Sequence, residues 1–396
     1  MGSTPGQQAW RKLRSNFPAM LGLGVISIGV LVALFGYWVV PDDTTHANDQ
    51  NVALKLLSPG AEATVLKVRL NQPVEDVGFF EKLWRGEPVR YRTIPLVSYR
   101  WEGPILHYEQ YTGDTAQGIR KKIHAADIVW PQVGHEDSND SVRIQLIDGP
   151  VVRQSITALQ LAATDQIQQR KFWLGTDALG RDYLSRIVLG ARVSLSVGGM
   201  AVLLSLLIGL LLGSIAGYFR GWVDRVIMYV INVFWSIPTL LLALSLSLVF
   251  SKGFLQVFMA IGLTMWIELA RIVRGQVLGL REVEYVKAAQ TMAFSHARII
   301  FRHIWPNLLG PVIVIVASNF AAAILLEAGL SFLGLGVERP APSWGMMLSD
   351  NRTYLIADRL HLAIWPGIAI SLFVLSFFLL GNGLRDAFDV RKKQKA

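Results

Sequence analysis

The sequence predicts an all-α polytopic membrane protein with six transmembrane helices, interrupted by a β-rich extracytoplasmic domain inserted between helices 1 and 2. Three observations carry this reading. Of 396 residues, 52% are hydrophobic and 17% charged, with a mean hydropathy of +0.39, where soluble domains carry about 25% charged residues. Six apolar stretches approach or exceed the ~20 residues needed to cross a hydrocarbon core. One long interval, 41–171, is polar instead and alternates with period two in places.

The first apolar stretch, 18–40, follows Arg11, Lys12 and Arg14 and has the flanks of a signal peptide. Its core is longer than an h-region of about 7–15 residues, and Phe35, Tyr37 and Trp38 stand where small residues would mark cleavage. An uncleaved first helix is the expectation. The others are 193–218, 226–250, 254–272, 308–333 and 362–384. Pro238 is expected to kink the third, and small residues in the second and fifth permit close helix packing. The chain thus divides into 1–40 (N-terminus and helix 1), 41–171 (inserted domain), 172–192 (interfacial segment) and 193–396 (helices 2–6 and the C-terminus).

In the insertion, Thr64–Leu70 and Ser141–Leu146 alternate as strands do, and the latter leads through Asp148-Gly149-Pro150 into Val151–Ile156, a hairpin signal. His46, His107, His124 and His135 fall here at spacings that match no metal-ligand pattern, so surface histidines and no metal are expected. The absence of cysteine excludes disulfides, thiol catalysis and Cys-based metal centres.

Charge sets the topology. The interval 41–171 holds 15 basic and 17 acidic residues, so the +11 excess lies elsewhere. It falls in 1–16, 219–225, 271–302 and 385–396, short segments beside apolar runs, as the positive-inside rule requires of cytoplasmic loops. Both termini are therefore expected in the cytoplasm. Basic charge so distributed does not make a nucleic-acid groove.

The loop 275–306 is the strongest functional feature. It reads as two short helices meeting near Phe294-Ser295, with Ser295 as N-cap and Pro306 ending the second. Ala288 and Ala289 permit close approach of another surface, and Arg298 and Arg302 lie four apart on one face. Before the second span, Gly175-Thr176-Asp177 and Gly180-Arg181-Asp182 lead to Arg186. Asp177 and Asp182 read as metal ligands or an acid pair in one view. Local capping by Thr176 or Asp177 and an Asp182–Arg186 pair explain them more simply, in an interfacial helix. Glu268 and Glu327 fall inside predicted spans, where an acid marks a site by default. Both lie near span ends, Glu268 three residues before Arg271, and structural pairing is expected for each.

The loop resembles the coupling loop of binding-protein-dependent ABC-importer permeases, whose pattern is Glu-Ala-Ala, three residues, Gly, nine residues, Ile, one residue, Pro. Ala288-Ala289 match, and Ile304 and Pro306 stand two apart as in the pattern, each one position further on. Lys287 stands where the pattern has Glu, with Glu284 one turn earlier as a substitute carboxylate, and Ala293 stands where it has Gly. Leu174–Arg186, Gly190–Leu195, Gly217–Arg225, Glu327–Gly336, Pro342–Gly345 and Gly383–Asp386 are similar in order and spacing to the dipeptide/oligopeptide permeases, C-type subunit, over about 10–40 and 172–392.

The resemblance implies an ABC-importer permease fold and ATP-driven peptide import. It implies a second permease subunit, two ATP-binding-cassette ATPase subunits and an extracytoplasmic peptide-binding protein as partners, besides membrane lipid. The implied coupling residues are Glu284, Tyr285, Lys287, Ala288, Ala289, Ala293, Phe294, Arg298, Ile304 and Pro306. No P-loop occurs, nor any Gly-Lys dipeptide, so ATP hydrolysis falls to partners, and no catalytic residue, metal or cofactor is expected. A proton-coupled secondary transporter would show inverted repeats with paired broken helices, and a membrane-anchored sensor would not need five further spans.

Overall fold

The computed structural model describes residues 5–72, 76–113, 118–147, 149–355 and 359–388. Asp148 of the expected hairpin and residues 389–396 of the expected cytoplasmic tail lie outside them. Helix α1 (Pro5–Ser15) is followed by α2 (Phe17–Val39), and the Asn16 side chain accepts the Ala19 N–H at 3.2 Å to cap the second helix.

Residues 34–189 and 353–363 form one compact unit. It contains β1 (Ala61–Arg69), α3 (Phe79–Arg85), β2 (Tyr91–Glu102), β3 (Ile105–Gln110), β4 (Ile119–His124), α4 (Ala125–Val129), β5 (Gln132–Asp137), β6 (Ser141–Leu146), β7 (Val151–Ser155), α5 (Ile156–Thr164) and β8 (Ile167–Phe172). One antiparallel sheet has the order β4-β3-β2-β1-β8, the other β5-β6-β7. Both period-two segments are strands, and β6 meets β7 in the register Ile144↔Val152. The alternation buries one face: Leu66, Ile94, Leu106, Val142 and Ile144 close on Ala126 and Ile128 of α4 and Leu159 of α5.

Residues 1–33, 190–352 and 364–396 form the other unit. Its helices are α6 (Tyr183–Phe219, mostly in this unit), α7 (Gly221–Trp235), α8 (Thr239–Val249), α9 (Phe254–Leu280), α10 (Glu284–Thr291), α11 (His296–Ile299), α12 (Trp305–Phe332), α13 (Trp344–Asp350) and α14 (His361–Phe388). Among the described residues, five helices are long and apolar enough to cross a membrane, counting α11 and α12 as one, and α7 with α8 forms a bent pair. Gly209, Gly213 and Gly217 make a stripe on α6 against α9. A Cβ at Gly217 would stand 2.8 Å from the Arg274 carbonyl, so the backbones approach where only glycine fits.

Three boundaries differ from expectation. The third apolar stretch is two helices meeting at 93° around Ser236-Ile237-Pro238, a sharper break than a kink within one continuous helix. Proline both ends the first helix, by biasing Ile237 away from helical geometry, and starts the second. No separate interfacial helix precedes α6, because 183–192 are its first turns. Nor does Pro306 end a helix: α11 passes through a π-helical turn, Ile300–Ile304, into α12, with Pro306 in the first turn of that helix, where its missing N–H costs little.

Candidate translocation and coupling site

Three residues, 281–283, separate the end of α9 at Leu280 from the start of α10 at Glu284. Val286 is fully buried and Ala289 is 4% exposed; both enter a cluster with Tyr218, Val273, Val277, Ile299 and Ile304. Tyr285, Lys287, Ala288 and Met292 are exposed. The expectation that Ala288 and Ala289 both meet a partner surface is therefore corrected: Ala289 belongs to this chain's own core, and Ala288 alone of the two faces out. The apolar i, i+3 spacing of Val286 and Ala289 was the available signal.

A Schellman turn ends α10. Ala293 N–H donates to the Gln290 carbonyl at 3.0 Å and Phe294 N–H to the Ala289 carbonyl at 3.2 Å. This places Ala293 at φ +56°, so the position where the resemblance has glycine does need a left-handed residue. The Ser295 side chain accepts the Arg298 N–H at 3.4 Å, and the Arg298 guanidinium sits 4.1 Å from the Phe294 ring centroid. Arg302 is exposed.

Salt bridges fix the loop. Glu282 receives Arg220 at 2.7 Å and Lys287 at 3.1 Å. Lys287 thus pairs with Glu282, and no ion pair joins it to the expected Glu284 among the described residues. Hydrogen bonds from Lys287 and then Arg220 hold the Glu282 carboxyl below its usual range. Arg274 grips Asp224 with both nitrogens, at 2.5 and 2.6 Å, and Arg281 donates to the Tyr218 carbonyl at 2.6 Å. The short turn 219–225 and the loop are thereby one piece.

A cavity of ≈ 330 Å³ opens beside the broken pair, lined by Phe234, Trp235, Ile237, Thr239, Leu242, Thr264, Met265, Ile267, Glu268, Asn319, Ala322, Leu325 and Leu326. Glu268 lies mid-helix in α9 and is exposed, not near an end as expected. Its expected partner is engaged elsewhere: Arg271 donates to Asn232 at 2.8 Å and covers the Trp235 ring at 3.7 Å. Glu327 is fully buried, and its carboxylate accepts from Ser194 at 3.1 Å and Ser331 at 2.8 Å, knitting α6 to α12 through hydroxyls. Asn319 and Thr264 escaped the sequence reading because neutral polar residues in an apolar run give no signal.

The segment before α6 has a different use. Thr176 accepts from Leu57 N–H at 2.8 Å and donates to the Leu54 carbonyl; it caps nothing. Asp177 accepts from Leu179 and Arg181 N–H at 2.9 and 3.0 Å and from Arg181 Nε at 2.7 Å. The cap of α6 is Asp182, which accepts the Ser185 N–H and hydroxyl, each at 2.7 Å. Arg186 consequently pairs with Asp177, at 3.6 Å, and not with Asp182. Gly175 and Gly180, at φ +77° and +74°, lie against the Leu57 and Asn51 carbonyls. These residues form a clasp on 42–57.

Sequence spacing also missed a cluster formed across β4 and β5. His124 and His135 stack with centroids 3.9 Å apart, and Asp137 lies 3.2 Å from His124 Nε2. His124 Nδ1 accepts the Ala126 N–H at 3.1 Å, capping α4, and Gln132 Nε2 lies 3.1 Å from His135 Nδ1. With its Nδ1 lone pair taken by a backbone N–H, the neutral His124 ring carries its proton on Nε2, toward Asp137, and His124, His135 and Asp137 bring ligand atoms within 4.8 Å of one another.

The family described as "Binding-protein-dependent transport system inner membrane component" matches residues 209–394, and "N-terminal TM domain of oligopeptide transport permease C" matches 4–59. The glutathione transport system permease protein GsiD of Pectobacterium atrosepticum is 42% identical over 221 residues, 56% of this chain and 73% of that one. The chain belongs to the binding-protein-dependent inner-membrane components. The oligopeptide transport system permease protein OppC of Bacillus subtilis is also similar, at 40% identity over 242 residues, covering 61% of this chain and 79% of the relative. A solved inward-facing MetNI methionine ABC transporter is similar over 52% of this chain and 97% of that one, at 16% identity and a TM-score of 0.44. As an inner-membrane component, this chain is a multi-pass permease and not itself a catalyst.

Proposed function

We propose that this permease carries peptides through a pathway shared with a second permease subunit, driven by two ATPase subunits that dock on α10 and delivered to by an extracytoplasmic binding protein. The relatives' printed names, glutathione, dipeptide and oligopeptide transport, support the substrate class. In this reading the chain spans the membrane six times, α7–α8 counting as one span. Both termini are cytoplasmic, and 41–171 is an extracytoplasmic domain that helps receive the binding protein.

The observation that carries the reading is the two-sided character of α10. Val286 and Ala289 root it in the cluster shared with α9 and α12, while Tyr285, Ala288 and Met292 face outward. A partner gripping the outer face moves the helices at the inner face, and transport follows if docking strength differs between inward- and outward-open states. The cavity at Glu268 lines the pathway. The test is Ala288→Asp in the assembled transporter. The permease should insert and pair normally, lose the ATPase subunits on purification and cease transport. Full ATPase retention with wild-type peptide uptake would overturn the docking assignment.

A further inference from the structure

We propose that α3 is an interfacial helix that lays its aromatic face into the lipid headgroup and acyl boundary beside the C-terminal end of α2, anchoring the β-rich unit to the bilayer surface.

The sequence of α3 is Phe79-Phe80-Glu81-Lys82-Leu83-Trp84-Arg85. At 100° per residue, Phe79, Leu83, Phe80 and Trp84 share one arc and Glu81, Arg85 and Lys82 the other. The polar arc is occupied: Glu81 meets Arg85 at 3.6 Å, and Lys82 reaches Asp43 at 3.4 Å and also Glu87. On the apolar arc Phe79 is 62%, Phe80 82% and Trp84 66% exposed. So much aromatic surface on one turn-and-a-half of helix requires a cover, since large contiguous apolar patches mark interaction sites.

Continuity with a membrane helix identifies the cover. The Phe79 ring lies 5.1 Å from Trp38, which lies 5.6 Å from Phe35, and both belong to the last turns of α2. The N-terminal transmembrane family matches this helix, and aromatic side chains at a span's end sit at headgroup level. The junction is rigid: Thr45 N–H donates to the Glu87 carbonyl at 2.9 Å and Glu87 N–H to the Asp43 carbonyl at 2.8 Å. Gly86, at φ +78°, lets the turn pass where a Cβ would stand 2.8 Å from that carbonyl. Thr45 follows Val39 by six positions, a reach of at most about 20 Å, so α3 is held at the membrane surface. An aromatic face with cations on its flank is the composition of a helix lying in that plane.

The chain contains no cysteine, so single labels can be placed. Phe80→Cys, Trp84→Cys and Glu81→Cys, each carrying a nitroxide, are compared in the assembled transporter reconstituted in phosphatidylethanolamine–phosphatidylglycerol vesicles with thiol-free partners. Collision with oxygen and with a water-soluble nickel chelate gives depth. Labels at 80 and 84 should be oxygen-accessible and chelate-protected, at least several-fold more protected than 81. Equal chelate access at all three positions would overturn the proposal by placing the face in water. Shielding of 80 and 84 from both reagents would overturn it by showing a protein cover.

Discussion

Arg186 crosses to Asp177 and not to the nearer-in-sequence Asp182, its Nε 3.6 Å from an oxygen that also receives Arg181 at 2.7 Å. The two guanidinium side chains are 2% and 6% exposed, and that of Asp177 is 5% exposed. Asp177→Ala removes the shared carboxylate and should cost about 3–5 kcal/mol, the penalty for breaking a buried ion pair. The expected result is loss of folded protein by size-exclusion chromatography in detergent. Asp182→Ala, which removes a cap, should cost only about 1 kcal/mol.

Ala293→Gly should stabilise the loop that follows α10. The residue sits at φ +56° at the Schellman position, where a Cβ costs roughly 1–2 kcal/mol. Hydrogen exchange of the amides at 290–296 should slow by about tenfold, and unchanged exchange would remove the strain argument.

Ala289→Asp should fail differently from Ala288→Asp. Its carboxylate would enter the cluster of Val286, Ile299 and Ile304, and burying an unpaired charge costs several kcal/mol. The variant should unfold or express poorly before any partner is added, where Ala288→Asp folds.

Stability of the β-rich unit should depend on pH through His124. Burial, then the neighbouring His135, push its pKa below the usual value, with Asp137 and Asp127 opposing. The unfolded chain then binds a proton before the folded one, so this contribution is complete above the ordinary histidine pKa of about 6.5 and is lost as pH falls through the folded value. The full chain should melt at lower temperature at pH 5 than at pH 7.5. His124→Asn, which keeps an acceptor for the Ala126 N–H, should reduce that difference.

Glu268→Gln should leave assembly intact, because no hydrogen bond or ion pair engages Glu268 among the described residues. If the carboxylate meets the substrate's amino group, loss of a charged hydrogen bond, about 1.5–3 kcal/mol, should slow uptake of free peptides by tenfold or more. N-acetylated peptides should be unaffected by the substitution.

The spans were legible because length and hydropathy act locally: α2, α9 and α14 announce themselves by composition. The phase of α10 was not, since eight residues with two alanines give a weak stripe, and only the packing of Val286 against the neighbouring spans fixes which alanine turns inward. Pro238 was visible as a disruption, but the 93° turn is set by what α7 and α8 pack against. Asp177 and Arg186 were both singled out, yet their partnership depends on Asp182 being taken by Ser185.

Strand β1 pairs with β8, Ala61 opposite Phe172, so the stretch between them leaves and re-enters at neighbouring points. A polymer whose ends are already joined pays for added length only logarithmically, about 0.6 kcal/mol per doubling. Evolution can therefore lengthen, trim or exchange this stretch as a cassette.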